Sequence, residues 1–299
     1  MKLFYADHFV LPLPEGHRFP MEKYSRLRER LAASGRFAAT DFIVPDAAGD
    51  CEILHAHDLG YLRRVTDGTL DAAELRRIGF PWSAQMVERS RRSAGATLAA
   101  CRAALVEGCA ANLAGGTHHA HRDFGSGFCV FNDAAIAALT LRAEGHVRRV
   151  AIIDCDVHQG DGTATILADE PEVFTFSIHA AKNFPFRKAR SDLDVELPDA
   201  TGDDAYLAAL RRALDVVFAR SDPELAIYLA GADPYRDDRL GRLALSIDGL
   251  AARDRLVLDR CAGHGTPVAV AMAGGYARRI DDTVTVHANT VLAGAALAE

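Results

Sequence analysis

Four short apolar runs that each close on a cluster of polar residues constrain this chain more than any other feature. RVAIIDCDVHQGDG, LAIYLAGADPY and VAVAMAGGY pass from Val, Ile, Leu and Ala directly into Asp, His or Tyr, and CAANLAGGTHHAH does so with a shorter run. Continuous apolar runs of this length, rather than alternating ones, mark strands buried on both faces, as in a parallel sheet. Longer stretches of helical period separate them, which gives an α/β chain: a three-layer α/β/α sandwich with a mostly parallel central sheet.

The clearest strands cover Arg149–Asp154, Val173–Ile178, Leu225–Ala230 and Val268–Ala273, with a shorter one at Ala110–Leu113. Helices fit Phe19–Ala33, Ser83–Gly108, Asn132–Glu144, Asp203–Arg220, Ser246–Gly263 and Asp281–Leu297. Ser83 and Asn132 read as N-caps, and Asp133 follows where the positive helix end favours an acid. No Pro/Gly/Ser-rich linker or internal repeat divides the 299 residues, 49% of them hydrophobic, so residues 1–299 read as a single domain.

The net charge of −7 argues against a phosphate-tracking surface and hence against direct nucleic-acid binding. The basic run Arg89, Arg91, Arg92 reads as one solvated helix face. Charges interrupt every apolar stretch before it reaches membrane-spanning length, and Asp7 and His8 fall where a signal peptide needs an apolar run. The expectation is a cytoplasmic protein with no membrane partner. Six cysteines without a CxxC pair read as buried, reduced thiols.

In open parallel sheets, ligands bind outside the carboxyl ends of the strands, where all four polar clusters lie. Asp154, Asp156 and His158 alternate with apolar residues and so project to one side. Asp156 and His158 make a first pair of metal ligands, and Asp233 supplies a third from a neighbouring strand end. Two carboxylates and one imidazole with an open position suit zinc, with Fe(II) or Mn(II) less specifically indicated. The leaving amine of an amide also needs a proton, for which His118 and His119 are the candidates, each with a carboxylate, Asp154 or Asp161, to fix its tautomer. His121 extends the pair but lies outside this reading of the site. Gly274 and Gly275 let the backbone pass close to a ligand and present Tyr276, whose phenol can donate to a developing oxyanion.

GGTHHAHRDFGSGFCVFNDAAIAA, IIDCDVHQGDGTA, FSIH, LAGADPYRDDRLGRLALS and AGGY occur in an order that resembles the histone deacetylase family, within the arginase and deacetylase superfamily. The match runs through most of the chain. PLPEGHRFPMEKYSRL and GFPWS are most similar to the short class IV deacetylases and their bacterial relatives. The resemblance implies the arginase/deacetylase fold and hydrolysis of an acylated amine, foremost an acyl-lysine peptide or protein. It implies zinc, or Fe²⁺ in vivo, on Asp156, His158 and Asp233, proton transfer by His118 and His119, and orientation of that pair by Asp154 and Asp161. Tyr276 would donate to the transition state.

By the same resemblance Gly127, Phe128 and Phe184 line a narrow acyl-lysine channel, Leu240 and Gly241 complete its wall, Gly274 and Gly275 border it, and Arg18 lies on its floor. A structural potassium ion would sit near Asp154, Asp156 and Ser177. The departures are Ala273 before GGY, Gln159 after His158, and Thr117 in place of a bulky residue, which leaves the preferred acyl chain open.

An arginase-like pair of metals needs aspartates where Gly160 and Tyr235 stand, so one catalytic metal is favoured. An acetylpolyamine amidohydrolase shares the same catalytic residues, and Asp7 and Glu15 are the acids that could face an entrance selecting polyamines. A catalytically silent acyl-lysine reader would have lost Tyr276 or a ligand, and all are present. The scarcity of lysine beside abundant arginine points to a GC-rich bacterial genome.

Overall fold

The computed structural model describes residues 1–297. Within them, β1 (Lys2–Phe4), β2 (Phe42–Ile43), β3 (Cys109–Asn112), β4 (Val150–Asp154), β5 (Val173–Ala180), β6 (Leu193–Leu197), β7 (Leu225–Leu229) and β8 (Val268–Ala271) form one sheet in the order β2-β1-β3-β8-β7-β4-β5-β6. Every adjacent pair is parallel, so the expected mostly parallel sheet is wholly so.

Alternate residues of each central strand enter opposite cores. Val150 and Ile152 of β4, with Leu225 and Ile227 of β7, face α2 (Asp50–Ala56), α3 (Leu59–Asp67), α5 (Ala84–Glu107) and α6 (Asp133–Ala143). Ala151 and Ile153, with Ala226 and Tyr228, face α1 (Glu22–Ala33), α8 (Asp203–Ser221), α9 (Ile247–His264) and α10 (Ile280–Leu297). A period of two along the strand therefore builds both helical layers at once. Two shorter helices, α4 (Ala72–Ile78) and α7 (Asp161–Ile166), lie in the connections. Among the described residues no helix is long and apolar enough to cross a membrane.

Strand order positions the site. After β3 the chain skips two places to lay down β4, builds β5 and β6 outward, and then returns to fill the gap with β7 and β8. The four strands that close on polar clusters become neighbours in the middle of the sheet. Their carboxyl ends share one rim, as the ligand rule for open sheets requires.

Both expected N-caps form: Ser83 Oγ accepts from Met86 N at 3.1 Å and Asn132 Oδ1 from Ala135 N at 3.0 Å. The helix expected from Phe19 starts at Glu22, because Pro20 disfavours helical geometry at the residue before it. The run Arg89, Arg91, Arg92 is not a solvated face. Arg89 is buried and donates to the carbonyls of Ala6 and Phe9, while Arg91 and Arg92 donate to those of Ala48 and Pro45, so this face of α5 clamps the N-terminal segment and the loop before α2. All six cysteines are free and five are buried, but Cys51 is exposed.

Buried His57 joins three segments. Its Nδ1 donates to the carbonyl of His121 and its Nε2 accepts from Asn132 N, both at 2.9 Å, which ties the end of α2 to the loop before α6. Burial pushes this imidazole from 6.5 down to about 4 against the His121 hydrogen bond. The unfolded ring binds a proton below pH 6.5 and the folded one only below about 4. The stability His57 contributes is thus whole above pH 6.5 and lost as the pH falls toward 4. The loss amounts to about 3 kcal/mol at roughly 1.4 kcal/mol per pH unit. Urea denaturation of wild type and His57→Gln at pH 7 and pH 4.5 should show the wild type losing more; equal losses would remove His57 as an acid-sensitive joint.

Candidate metal centre and active-site cavity

β4 ends at Asp154 and the chain bends through residues 156–158, where Asp156 N donates to Asp154 Oδ1 at 3.0 Å and His158 N to Asp156 Oδ1 at 2.9 Å. Asp156, His158 and Asp233 bring one ligand atom each to within 4.8 Å of one another, and all three are buried. His158 Nδ1 lies 2.9 Å from Asp156 Oδ1 and 3.2 Å from Asp233 Oδ2. The remaining carboxylate oxygens are held by backbone: Gly274 N donates to Asp156 Oδ2 at 2.8 Å and Val157 N to Asp233 Oδ1 at 2.9 Å.

Asp233 Oδ2 is buried without a hydrogen-bond partner, an expensive state for a carboxylate that a cation relieves. Gly274 closes the cradle, because a Cβ there would collide with the carboxylates of Asp233 and Asp156. Buried, acidic, close-packed and with one carboxylate oxygen making no hydrogen bond, this donor set fits a divalent ion. Burial and the neighbouring Asp156 raise the Asp233 carboxyl, while the contacts of His158 with Asp156 and Asp233 outweigh burial and raise its imidazole.

The turn after β3 carries His118 and His119. His118 Nδ1 donates to Asp154 Oδ2 and His119 Nδ1 to Asp161 Oδ1, each at 2.7 Å, so the carboxylates fix both tautomers and leave each Nε2 free of that bond. The two rings separate electrostatically. Burial opposes a proton on His118, but Asp154 and Asp156 outweigh it and hold the ring at about 9; burial and the adjacent His118 push His119 down to about 4. His121, placed outside the site by spacing, meets the second oxygen of Asp161 at 3.2 Å and stacks on Phe124. Asp161 is held well below the usual carboxylate range, since hydrogen bonds from His119 and His121 outweigh its burial.

Tyr276 is half-buried beside Phe19 and Phe128, and burial followed by the charges of Asp233 and Asp156 raises its phenol far above the ordinary value, which keeps it a donor. A cavity of about 850 Å³ contains these groups and is lined also by Gly127, Phe128, Phe184, Leu240, Gly241 and Gly274. Phe184 stands edge-on to His119 with ring centroids 4.9 Å apart.

One expected lining residue does not line the cavity, and another lies at a different part of it. Gly275 is buried behind the cavity wall, where a Cβ would press on Thr283 of α10 and on Ala232. Arg18 lines the cavity but is exposed; the buried cations facing it are Lys23 and Arg89, so Arg18 belongs to the open end and not to a floor. Ser177 pairs with Asp154 in the β4–β5 register and its Oγ lies 2.9 Å from His179 Nδ1. Thr117 lines the cavity with its hydroxyl 2.5 Å from the Phe131 carbonyl and 2.7 Å from Asp133 Oδ1.

Several residues that hold the site escaped sequence reading. Asp133, expected to serve the α6 dipole, turns back to accept from Thr97 Oγ1, Gly116 N and Thr117 N, which fixes the loop before the histidine pair. Asp238 accepts from the backbone of Leu240, Gly241 and Tyr276, joining the loops after β7 and β8. Lys23 Nζ donates to the carbonyls of Ala273 and Gly275 and lies 5.3 Å above the Tyr276 ring. Its signal was present: Lys23, Leu27 and Leu31 are spaced by four, which puts a lysine on the apolar stripe of α1.

A model of the histone deacetylase domain matches residues 17–292. An uncharacterized protein of Picosynechococcus is 44% identical over 95% of this chain and 94% of its own length. A histone deacetylase-like amidohydrolase of Pseudomonas aeruginosa is 31% identical over 89% of this chain and 74% of its own. The crystal structure of a histone deacetylase homologue from Aquifex aeolicus superimposes with a TM-score of 0.82 at 23% identity, covering 98% of this chain and 84% of that one. The wholly parallel sheet is thus the arginase/deacetylase fold, and with the domain matched over nearly its whole length the chain belongs to the histone deacetylase family.

Proposed function

We propose that this protein hydrolyses the amide bond of an acylated amine, foremost an acylated lysine side chain, with zinc held by Asp156, His158 and Asp233. The observation that carries the reading is the buried oxygen of Asp233 that makes no hydrogen bond at the point where three ligands converge, in a cavity that also holds a histidine pair and a phenol. Iron(II) would satisfy the same donor set. When bound, a divalent ion supplies a Lewis acid for the amide carbonyl and makes water acidic enough to attack near neutral pH.

The chain's own residues do the rest. Gly127, Phe128 and Phe184 take up the aliphatic stem of the substrate, with Leu240 and Gly241 opposite, and exclude water from it. His118 and His119, each with an Nε2 not engaged by its orienting carboxylate, are suited to take the proton of the attacking water and to pass one to the leaving amine. Asp154 and Asp161 keep Nδ1 protonated on both rings, so that each Nε2 does the proton transfer. Tyr276 donates its hydroxyl hydrogen to the carbonyl oxygen as negative charge develops there. A structural potassium ion by Asp154, Asp156 and Ser177 belongs to the same reading, motivated by the register that sets Ser177 beside Asp154.

Metal-stripped protein reloaded with zinc should turn over a fluorogenic acyl-lysine peptide and lose that activity again to a chelator. Failure of the reloaded protein on every acyl-chain length, and on acylated polyamines, would contradict the hydrolase reading. Tyr276→Phe should lower kcat by roughly 10²–10³, the usual loss for one oxyanion donor, with zinc content unchanged. Gly274→Ala should fold but fail to retain zinc, because its methyl occupies the space between the two carboxylates; zinc stoichiometry on the purified variant, measured beside its circular dichroism spectrum, decides this.

A further inference from the structure

Eight cationic side chains line the cavity, against the two carboxylates Asp156 and Asp233 among the described residues. The whole chain has the opposite balance, 41 acidic to 34 basic residues, so the reversal is local. Lys23 and Arg89 are buried at the inner end. The other six, Arg18, Arg76, Arg77, Lys182, Arg239 and Arg242, are exposed and therefore form the mouth.

These six come from four separate segments: the approach to α1, the end of α4, the loop after β5 and the loop after β7. The positive charge at the mouth is thus contributed by several separate parts of the chain. Arg242 is neutralised by Asp199 at 2.6 Å. Arg77 stacks over the Phe124 ring at 4.6 Å and Arg239 donates to the Arg278 carbonyl, so both keep their charge. The acids that sequence reading offered for the entrance do not oppose them. Asp7 is occupied by Arg28 Nε at 2.9 and 3.1 Å, and neither Asp7 nor Glu15 lines the cavity. Phe186, 88% exposed, adds an apolar lip edge-on to Phe184.

Like charges at the mouth of a cleft concentrate ligands of opposite sign and repel those of their own, an effect that salt weakens at exposed positions. We propose that this mouth selects acyl-lysine peptides whose flanking residues are Asp or Glu, and disfavours polyamines and lysine- or arginine-rich peptides. The inference rests on the hydrolase reading above and names its substrate class. A peptide fits better than a small anionic amine because cations from several parts of the chain can meet carboxylates on both sides of the inserted lysine.

The test compares two acyl-lysine peptides of equal length, one flanked by Asp and Glu and the other by Lys and Arg, together with N-acetylspermidine. On zinc-loaded protein at about 50 mM salt, kcat/KM should favour the acidic peptide by roughly tenfold or more, and the preference should shrink several-fold at 0.5 M salt. Arg76→Glu with Arg239→Glu should abolish or invert the preference, whereas the charge-matched pair Arg148→Glu with Arg211→Glu, away from the cavity, should keep it. Fluorescence anisotropy of the labelled peptides on the Tyr276→Phe variant reads the same preference as binding. Equal kcat/KM for both peptides at all salt concentrations overturns the selectivity and leaves the hydrolase reading standing. Charge-dependent binding lost in Arg76→Glu with Arg239→Glu, but without turnover by the zinc-loaded wild type, supports the selectivity and removes the hydrolase reading. Neither turnover nor charge-dependent binding overturns both.

Discussion

Two carboxylates buried side by side impose the central constraint on this structure. Asp156 and Asp233 repel each other in a region without bulk water, and an unpaired buried ion costs several kcal/mol. The fold answers with backbone amides taken from neighbouring strand ends: Val157, after β4, donates to Asp233 after β7, and Gly274, after β8, donates to Asp156. Adjacency of β4, β7 and β8 is therefore the same fact as tolerance of the acids. The amides and His158 leave one oxygen of Asp233 without a hydrogen bond, and that residual imbalance suits the site to a cation.

The loops bearing the other groups have no ladder to hold them, and buried polar side chains take its place. Asp133 gathers the amides before the histidine pair, Asp238 those of Tyr276, Leu240 and Gly241, and Lys23 the carbonyls on either side of Gly274. Each satisfies several backbone groups that burial would otherwise leave unpaired. Tyr276 is thereby fixed from both sides, its amide by a carboxylate and its neighbouring carbonyls by an ammonium.

The parts of this arrangement that follow chain-local rules were legible in sequence. Strand burial on both faces shows as unbroken apolar runs, and Asp154, Asp156 and His158 stand where such a run ends, so the sheet and the metal-ligand pair could be read directly. Parts set by distant partners could not. Asp133 looks like a dipole-compensating residue until Gly116 and Thr117 are folded onto it. The arginines of α5 look solvated until residues 6–9 and 45–48 cover them. Gly275 stands beside Gly274 in sequence, yet one turns toward the carboxylates and the other toward α10. The three-residue β1, the two-residue β2 and the edge strand β6, which carries two charged residues in LDVEL, are too short or too polar to announce themselves by periodicity.

The two carboxylates of the cavity lie apart from its exposed cations, and this organises the proposed reaction from entry to exit. The reacting group is a neutral amide, which meets no strong field in the channel, so the charges at the mouth act on what surrounds it and not on the bond to be broken. Hydrolysis alters that balance, because the freed lysine amine, protonated at neutral pH, leaves past Arg76, Arg77 and Arg239. A cation emerging among cations is held less tightly than the neutral amide that entered. The same mouth that draws in an acidic peptide would therefore weaken its hold on the product where the new charge appears. On this account the basic mouth contributes to turnover as well as to selection, which a purely attractive surface could not do.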